Sequence, residues 1–184
     1  MATGERILAA AAEMTAEIGW SGVTMAAVAE RVGVSRQTIY NEWGSRDRLA
    51  EAMVLRELGA FLDEVDSGFD AHPDDLEAGV ADAIGRVLDL ARVNPLLRAI
   101  VTATHGAETE LVPLLTTRAD LVIAVASERV RDRLVAYPEV DDGQLDTTVD
   151  LLVRTVLSHV MQPAQDRTRV PEGLAAAVVR LLGS

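Results

Sequence analysis

Cysteine is absent from this 184-residue chain, which excludes disulfides and thiolate metal sites. Lysine is absent too: every basic residue is arginine, and no function follows from that alone. Aromatic residues make up only 3% of the sequence while hydrophobic residues make up 49%, so the core has to be aliphatic, built from Ala, Val, Leu and Ile. Long apolar runs are missing, and none approaches the roughly 20 residues needed to span a bilayer. The first residues, Met1 to Arg6, lack the basic start, apolar stretch and small-residue cleavage site of a secretory signal. A cytoplasmic location without a membrane partner is therefore expected. Charged residues at 25% fit an ordinary globular protein and not a disordered one.

Chemistry-bearing constellations are also scarce. No glycine-rich phosphate loop is present, and Ser127 and Ser158 sit in no nucleophile-elbow or triad context. The histidines His72, His105 and His159 are far apart in sequence. His105 and Glu108 stand three apart, and a polar pair at a helix start explains them better than a metal site does. Asp74, Asp75 and Glu77 read as charge at a helix N-terminus. The expectation is no catalytic set, no metal and no cofactor, and hence not an enzyme.

The net charge of -12 at first argues against a nucleic-acid partner. Its distribution matters more than its sum. Residues 1–49 hold five arginines (Arg6, Arg31, Arg36, Arg46, Arg48) against six acids, whereas the rest holds 12 basic and 23 acidic residues. The acidity lies behind the first quarter of the chain, and an acidic body would help to turn a more basic tip toward DNA.

Helical periodicity runs throughout, without strand alternation. Ile7, Ala11, Met14 and Ile18 form the stripe of a first helix, which Gly19-Trp20-Ser21-Gly22 ends. Thr24 reads as the N-cap of a second helix whose apolar face is Met25, Val28, Ala29 and Val32. Gly33-Val34-Ser35 makes a tight turn, and Ser35 caps a short third helix reaching about Asn41. Ser45 caps a fourth, from Arg46 to about Ser67. Pro73 is expected to open a helix to about Val93, and Asn94-Pro95 another to about Thr104. A long helix is expected from Gly106 to about Ala136, with Pro113 inside it. Asp142-Gly143 starts one that reaches about Met161, and Val170-Pro171 opens the last, to Leu182. About nine helices result, with no repeat and no linker.

Two short helices joined by a three-residue turn and backed by a preceding helix make a helix-turn-helix. Ala26, Ala27 and Ala29 allow a close helix crossing. Gly33 can take positive φ in the turn. Val28, Val32, Val34, Ile39 and Trp43 anchor the third helix from behind, and Trp20 and Trp43 read as core and not as stacking platforms. Ser35, Arg36, Gln37, Thr38, Tyr40 and Asn41 line its outer face, within reach of phosphates and base edges.

From Ile7 to Leu49 the chain resembles the DNA-binding region of TetR-family regulators. The resemblance rests on Gly19-Trp20, Val23-Thr24-Met25, Val28-Ala29, Val32-Gly33-Val34-Ser35, Thr38-Ile39-Tyr40, Trp43 and Ser45-Arg46-Asp47-Arg48-Leu49. It implies an all-α fold: a three-helix helix-turn-helix DNA-binding domain over residues 1–49, and a helical ligand-binding and dimerisation domain over 50–184. It implies that Thr24 bonds an operator phosphate, that Ser35, Arg36, Gln37 and Thr38 supply base and phosphate contacts, and that Tyr40 and Arg46 touch the backbone. Asn41 joins this set. Two positions depart from the family pattern: Asn41 replaces a commoner aromatic, and Glu42 stands where His or Tyr usually faces the DNA. A carboxylate there repels phosphate, pairs with Arg46, or reads a cytosine amino group.

The implied function is a DNA-binding repressor released from a pseudo-palindromic operator by a small, mainly apolar effector. The alternative is a constitutive or protein-partner-controlled regulator without a small inducer. Candidate pocket liners are Phe61, Leu88, Val101, His105, Leu115, Arg118, Leu121 and Leu157, a mainly apolar set with at most one polar handle. Leu58, Leu62 and Val65 on the fourth helix would wall the same pocket and couple it to the tip. One short recognition helix contacts too few base pairs to pick a single site, so a homodimer is expected. Its expected interface is Leu145, Val149, Leu152, Val153, Val156 and Val160 on the eighth helix, with Leu174, Val178 and Leu181 on the ninth.

Overall fold

A computed structural model describes residues 2–97, 119–138, 140, 142–162 and 169–183. Among these residues the chain is all-α: α1 (Thr3–Gly22), α2 (Met25–Val32), α3 (Arg36–Trp43), α4 (Arg46–Asp70), α5 (Leu76–Val93), α6 (Ala119–Leu134), α7 (Asp142–Met161) and α8 (Val170–Leu182). The described residues contain no strand, and none of their helices is long and apolar enough to cross a membrane. The chain divides into two compact units. One gathers the described residues of Met1–Gly59 and Val93–Ala119, the other those of Ala60–Arg92 and Asp120–Ser184. The boundary falls inside α4, which contributes residues to both.

In the first unit, Ile7, Ala11 and Met14 of α1 are buried, as are Val28 and Val32 of α2, Ile39 of α3, and Leu49 and Met53 of α4. The stripe departs from expectation at Ile18, which is 52% exposed. The reason is Gly19, whose φ of 74° and ψ of 159° break the helical course one residue later. That conformation is essentially open only to glycine. It turns the chain so that Trp20, not Ile18, enters the core. Thr15 is fully buried, and its hydroxyl donates to the Ala11 carbonyl at 2.7 Å, so its polarity is satisfied within the helix.

Three arginines hold this unit together. Arg6 donates to the Val32 carbonyl at 2.9 Å, placing positive charge at the C-terminus of α2, where the helix dipole favours it. Arg31 pairs with Glu17 at 2.7 Å and joins α2 to α1; that hydrogen bond holds the Glu17 carboxyl below the usual carboxylate range. Arg46 donates to the Val23 carbonyl at 2.9 Å and to the Trp20 carbonyl, and its guanidinium lies 4.6 Å from the centre of the Trp20 ring.

In the second unit one aliphatic cluster joins Phe69 of α4, Leu76, Val80 and Ile84 of α5, Leu134 of α6, Leu145, Val149, Leu152 and Val153 of α7, and Ala175, Val178 and Leu182 of α8. Helices α4 and α5 approach so closely that a side chain at Gly68 would meet the Ala83 backbone at 2.4 Å. The Tyr137 hydroxyl donates to the His72 carbonyl at 2.7 Å and fastens the end of α6 to the α4–α5 turn. Helix α5 starts at Leu76, later than expected, because the Asp75 side chain accepts the Ala78 amide and is the working cap. Pro73 lies in the turn before it. Asn94 caps as expected: its side chain accepts the Leu97 amide at 3.0 Å, and residues 95–97 are helical.

Arg46→Ala removes two charge-assisted hydrogen bonds and a cation–π contact, so it is expected to cost about 2–4 kcal/mol of stability. Arg48→Ala, two residues on and exposed, should stay within about 0.5 kcal/mol of wild type. Urea unfolding of the two variants checks this; equal midpoints would refute the bracing role of Arg46.

Candidate nucleic-acid interface

The α2–α3 corner is built by its caps. The Thr24 hydroxyl oxygen accepts the Ala27 amide at 3.1 Å and starts α2. Gly33 ends α2 with φ 74° and ψ 37°, a left-handed conformation. Its amide reaches the Glu30 carbonyl at 3.2 Å while the Val34 amide reaches Ala29 at 3.0 Å, the paired bonds of a Schellman ending. The Ser35 hydroxyl accepts the Thr38 amide at 3.1 Å and shares a further hydrogen bond with the Thr38 hydroxyl at 2.9 Å. Ser45 caps α4 by accepting the Arg48 amide at 3.2 Å. Each cap satisfies an amide that the helix itself leaves open, worth about 1 kcal/mol apiece.

Helix α3 buries Ile39 and no other residue completely; Trp43 is half-buried on the same side. At 100° per residue, positions 37 and 41 fall about 200° from 39, on the opposite side of the helix. Gln37 and Asn41 occupy them and are exposed, and the Gln37 side-chain amide donates to the Asn41 side-chain oxygen at 2.7 Å. Arg36 and Tyr40 flank that strip; Tyr40 is 50% exposed, and no ion pair or hydrogen bond engages Arg36 among the described residues. Ser35 and Thr24 are exposed and Thr38 half-exposed, whereas Arg46, at the start of α4, is turned inward.

Arg46 is the exception, and helix geometry gives the reason. It stands three, four and seven residues before Leu49, Ala50 and Met53, which are fully buried. That spacing sets Arg46 on the inner face of α4. Arg48 points the other way, exposed and without an ion pair among the described residues. It was not among the expected DNA contacts, and the apolar spacing of α4 is the signal that sets it on the outer face. Glu42 does not stand out toward the α3 strip: its carboxylate lies over Gly4, so close that a side chain there would meet Oε1 at 2.7 Å, with Trp43 beside it. The acid therefore sits at the first turn of α1, where a helix N-terminus favours negative charge.

The expected pocket and interface residues divide differently. Val101, His105, Leu115 and Arg118 lie outside the described residues. Leu88 and Leu157 pack against the core of the second unit, Phe61 is half-buried and Leu121 exposed. Of the expected interface stripe, Leu145, Val149, Leu152, Val153 and Val178 are buried in the chain's own core, with Val156 and Leu174 packed against it and Val160 half-buried. Leu181 is 43% exposed and Leu151, outside the stripe, 51% exposed. Apolar period alone cannot say whether a stripe meets its own chain or another, and most of this one meets its own. Among the described residues no group of three His, Asp or Glu side chains could hold a metal ion.

Residues 7–53 match the family described as bacterial regulatory proteins, tetR family, and residues 75–180 match the C-terminal domain of the bacterial tetracyclin repressor. The chain is 31% identical over 167 residues to the HTH-type transcriptional regulator AlkX of Mycobacterium tuberculosis (strain ATCC 25618 / H37Rv), covering 89% of this chain and 75% of that protein. A solved structure, the TetR family repressor AlkX from Dietzia sp. strain DQ12-45-1b, implicated in biodegradation of n-alkanes, has a TM-score of 0.77 at 27% identity and covers 96% of this chain and 93% of its own. The fatty acid degradation regulator FadR from Bacillus halodurans shares the fold, with a TM-score of 0.59 at 18% identity over 98% of this chain and 94% of its own. An exposed polar face on α3, side-chain caps at the starts of α2, α3 and α4, and matches over both halves of the chain converge: the protein belongs to the TetR family of DNA-binding transcriptional regulators, not enzymes.

Proposed function

We propose that this chain is a cytoplasmic repressor that binds a pseudo-palindromic operator as a homodimer and leaves it when a small, mainly apolar molecule binds its C-terminal half. The observation that carries this reading is the outer face of α3, with Gln37 and Asn41 opposite the buried Ile39 and with Arg36 and Tyr40 beside them. In this reading Arg36, Tyr40, Thr24 and Arg48 hold phosphates, Thr24 through the hydroxyl hydrogen that its cap bond leaves free. The Dietzia protein, similar over nearly the whole chain, is described as a repressor, which supports repression over activation.

The effector follows from composition. The candidate liners form a mainly apolar set in which Arg118 and His105 would supply at most one polar handle. Straight-chain aliphatic molecules fit that chemistry, in line with the link of the Dietzia repressor to n-alkane degradation. Helix α4 is the route of coupling: its first turn grips the α1–α2 corner through Arg46, and Val65 further along packs against the core of the second unit. A ligand that favours one arrangement of α4 changes the spacing of two recognition helices, which DNA requires to be about 34–36 Å.

The homodimer uses what the core leaves over on α7 and α8, chiefly Leu151 and Leu181. A two-fold interface repeats each of these side chains, doubling the apolar area they remove from water.

Three outcomes test the proposal. In salt titrations of operator binding, Arg36→Ala and Arg48→Ala should each flatten the plot of log K against log salt by about one unit. An unchanged slope in the double variant would remove these residues from the interface. In sedimentation at micromolar concentration, wild type should run as a dimer and Leu151→Glu/Leu181→Glu as a helical monomer. Val153→Glu, which buries a charge in the protomer core, should instead unfold the chain. A double variant that stays dimeric would refute the assigned face. Titration with n-alkanes and aliphatic acids of matching length should weaken operator affinity, and operator should weaken ligand affinity by the same factor, as linkage demands. Equal ligand affinity for free and operator-bound protein would refute induction.

A further inference from the structure

We propose that Gln37, braced by Asn41, reads an adenine in the major groove of each operator half-site; this rests on the operator-binding reading above. The two side chains form the strip of α3 opposite Ile39, so they face whatever the helix faces. Their neighbours on α3 are engaged with each other, set to one flank, or turned toward α1. The Ser35 and Thr38 hydroxyls bond each other and the helix start. Arg36 and Tyr40 lie to one flank of the strip. Glu42 lies over the first turn of α1.

The hydrogen-bond inventory then selects the base. Gln37 Nε2 carries two hydrogens and gives one to Asn41 Oδ1 at 2.7 Å. With the hydrogen anti to Oε1 given to Asn41, the syn N–H and the Oε1 acceptor stand side by side in one amide plane. Adenine offers the matching pair, the N7 acceptor beside the N6 amino donor. Guanine presents two acceptors, N7 and O6, and its O6 would face the Gln37 Oε1. Cytosine offers only its amino donor, and thymine its O4 and a methyl group. Adenine alone uses both atoms.

Asn41 acts as a positioning residue. A glutamine at an exposed helix position loses side-chain freedom when it docks on a base. The bond to Asn41 holds the amide in place beforehand, so less freedom is lost on binding.

The test begins with selection of binding sites from a random duplex library by the full-length wild-type chain. The selected half-site should contain an adenine that Gln37→Ala no longer selects, while the rest of the site is kept. In anisotropy titrations, changing that A·T pair to G·C should weaken wild-type binding by about 5- to 150-fold and Gln37→Ala binding by less than about twofold. Replacing the adenine with 7-deazaadenine, which lacks the N7 acceptor, should act in the same direction. Asn41→Ala should reduce the ratio, and Asn41→Asp, which keeps the accepting oxygen, should restore it even as its added charge lowers overall affinity. Circular dichroism identical to wild type confirms that the variants fold. If Gln37→Ala keeps the wild-type preference at every position, the adenine assignment is wrong while operator binding stands. If wild type enriches no sequence at all, the operator reading fails and this proposal fails with it.

Discussion

The recognition helix depends on one buried side chain. Eight residues are too few for a helix to persist alone in water, since the cost of nucleation is spread over too few bonds. Helix α3 survives because Ile39 is sealed in the core, Trp43 is half-covered, and the Ser35 cap satisfies its first turn. The arrangement has a functional consequence. A helix anchored along a narrow line keeps the rest of its circumference free, and a free, rigid, polar circumference is what a groove reader needs. The Schellman ending at Gly33 and the cap at Thr24 serve the same purpose one helix earlier, by setting the angle at which α3 leaves α2.

The second constraint is electrostatic. An acidic chain that approaches a polyanion has few cations to spare, and this one commits three of its five N-terminal arginines to its own architecture. Arg6 closes the C-terminus of α2, Arg31 ties α2 to α1, and Arg46 locks the α1–α2 corner. Arg36 and Arg48 are left facing outward. On the operator-binding reading proposed above, so few outward-facing arginines leave discrimination to positioned polar groups on α3. The Glu42 carboxylate lies by Gly4 in the first turn of α1, where a helix N-terminus favours negative charge.

How much of this was legible beforehand depended on whether the signal was local. The caps at Thr24, Ser35, Asn94 and Ser45 could be read directly, because capping joins residues three apart and leaves a fixed sequence trace. Gly33 was legible for the same reason. Ile18 misled because it is the last residue of the stripe before Gly19 turns the chain, and Trp20, not Ile18, is buried there. Arg46 misled because its family counterpart suggested a phosphate contact, although its spacing to Leu49, Ala50 and Met53 placed it inside. The stripe on α7 was expected to be an interface with a second copy, whereas most of it packs in the chain's own core. Its partner was not legible, since Leu145, Val149, Leu152 and Val153 look the same in sequence whether they meet their own chain or a copy of it.

The central claim is that the outer face of α3 is the surface that meets DNA. The most direct measurement is backbone amide NMR of the labelled full-length chain, titrated with a duplex carrying the site it selects. The account predicts shifts concentrated at Thr24 and at 35–41, with the buried core of the second unit, around Val80 and Val149, the least perturbed of all. Shifts confined to other surfaces, with residues 35–41 unmoved at saturating DNA, would contradict it.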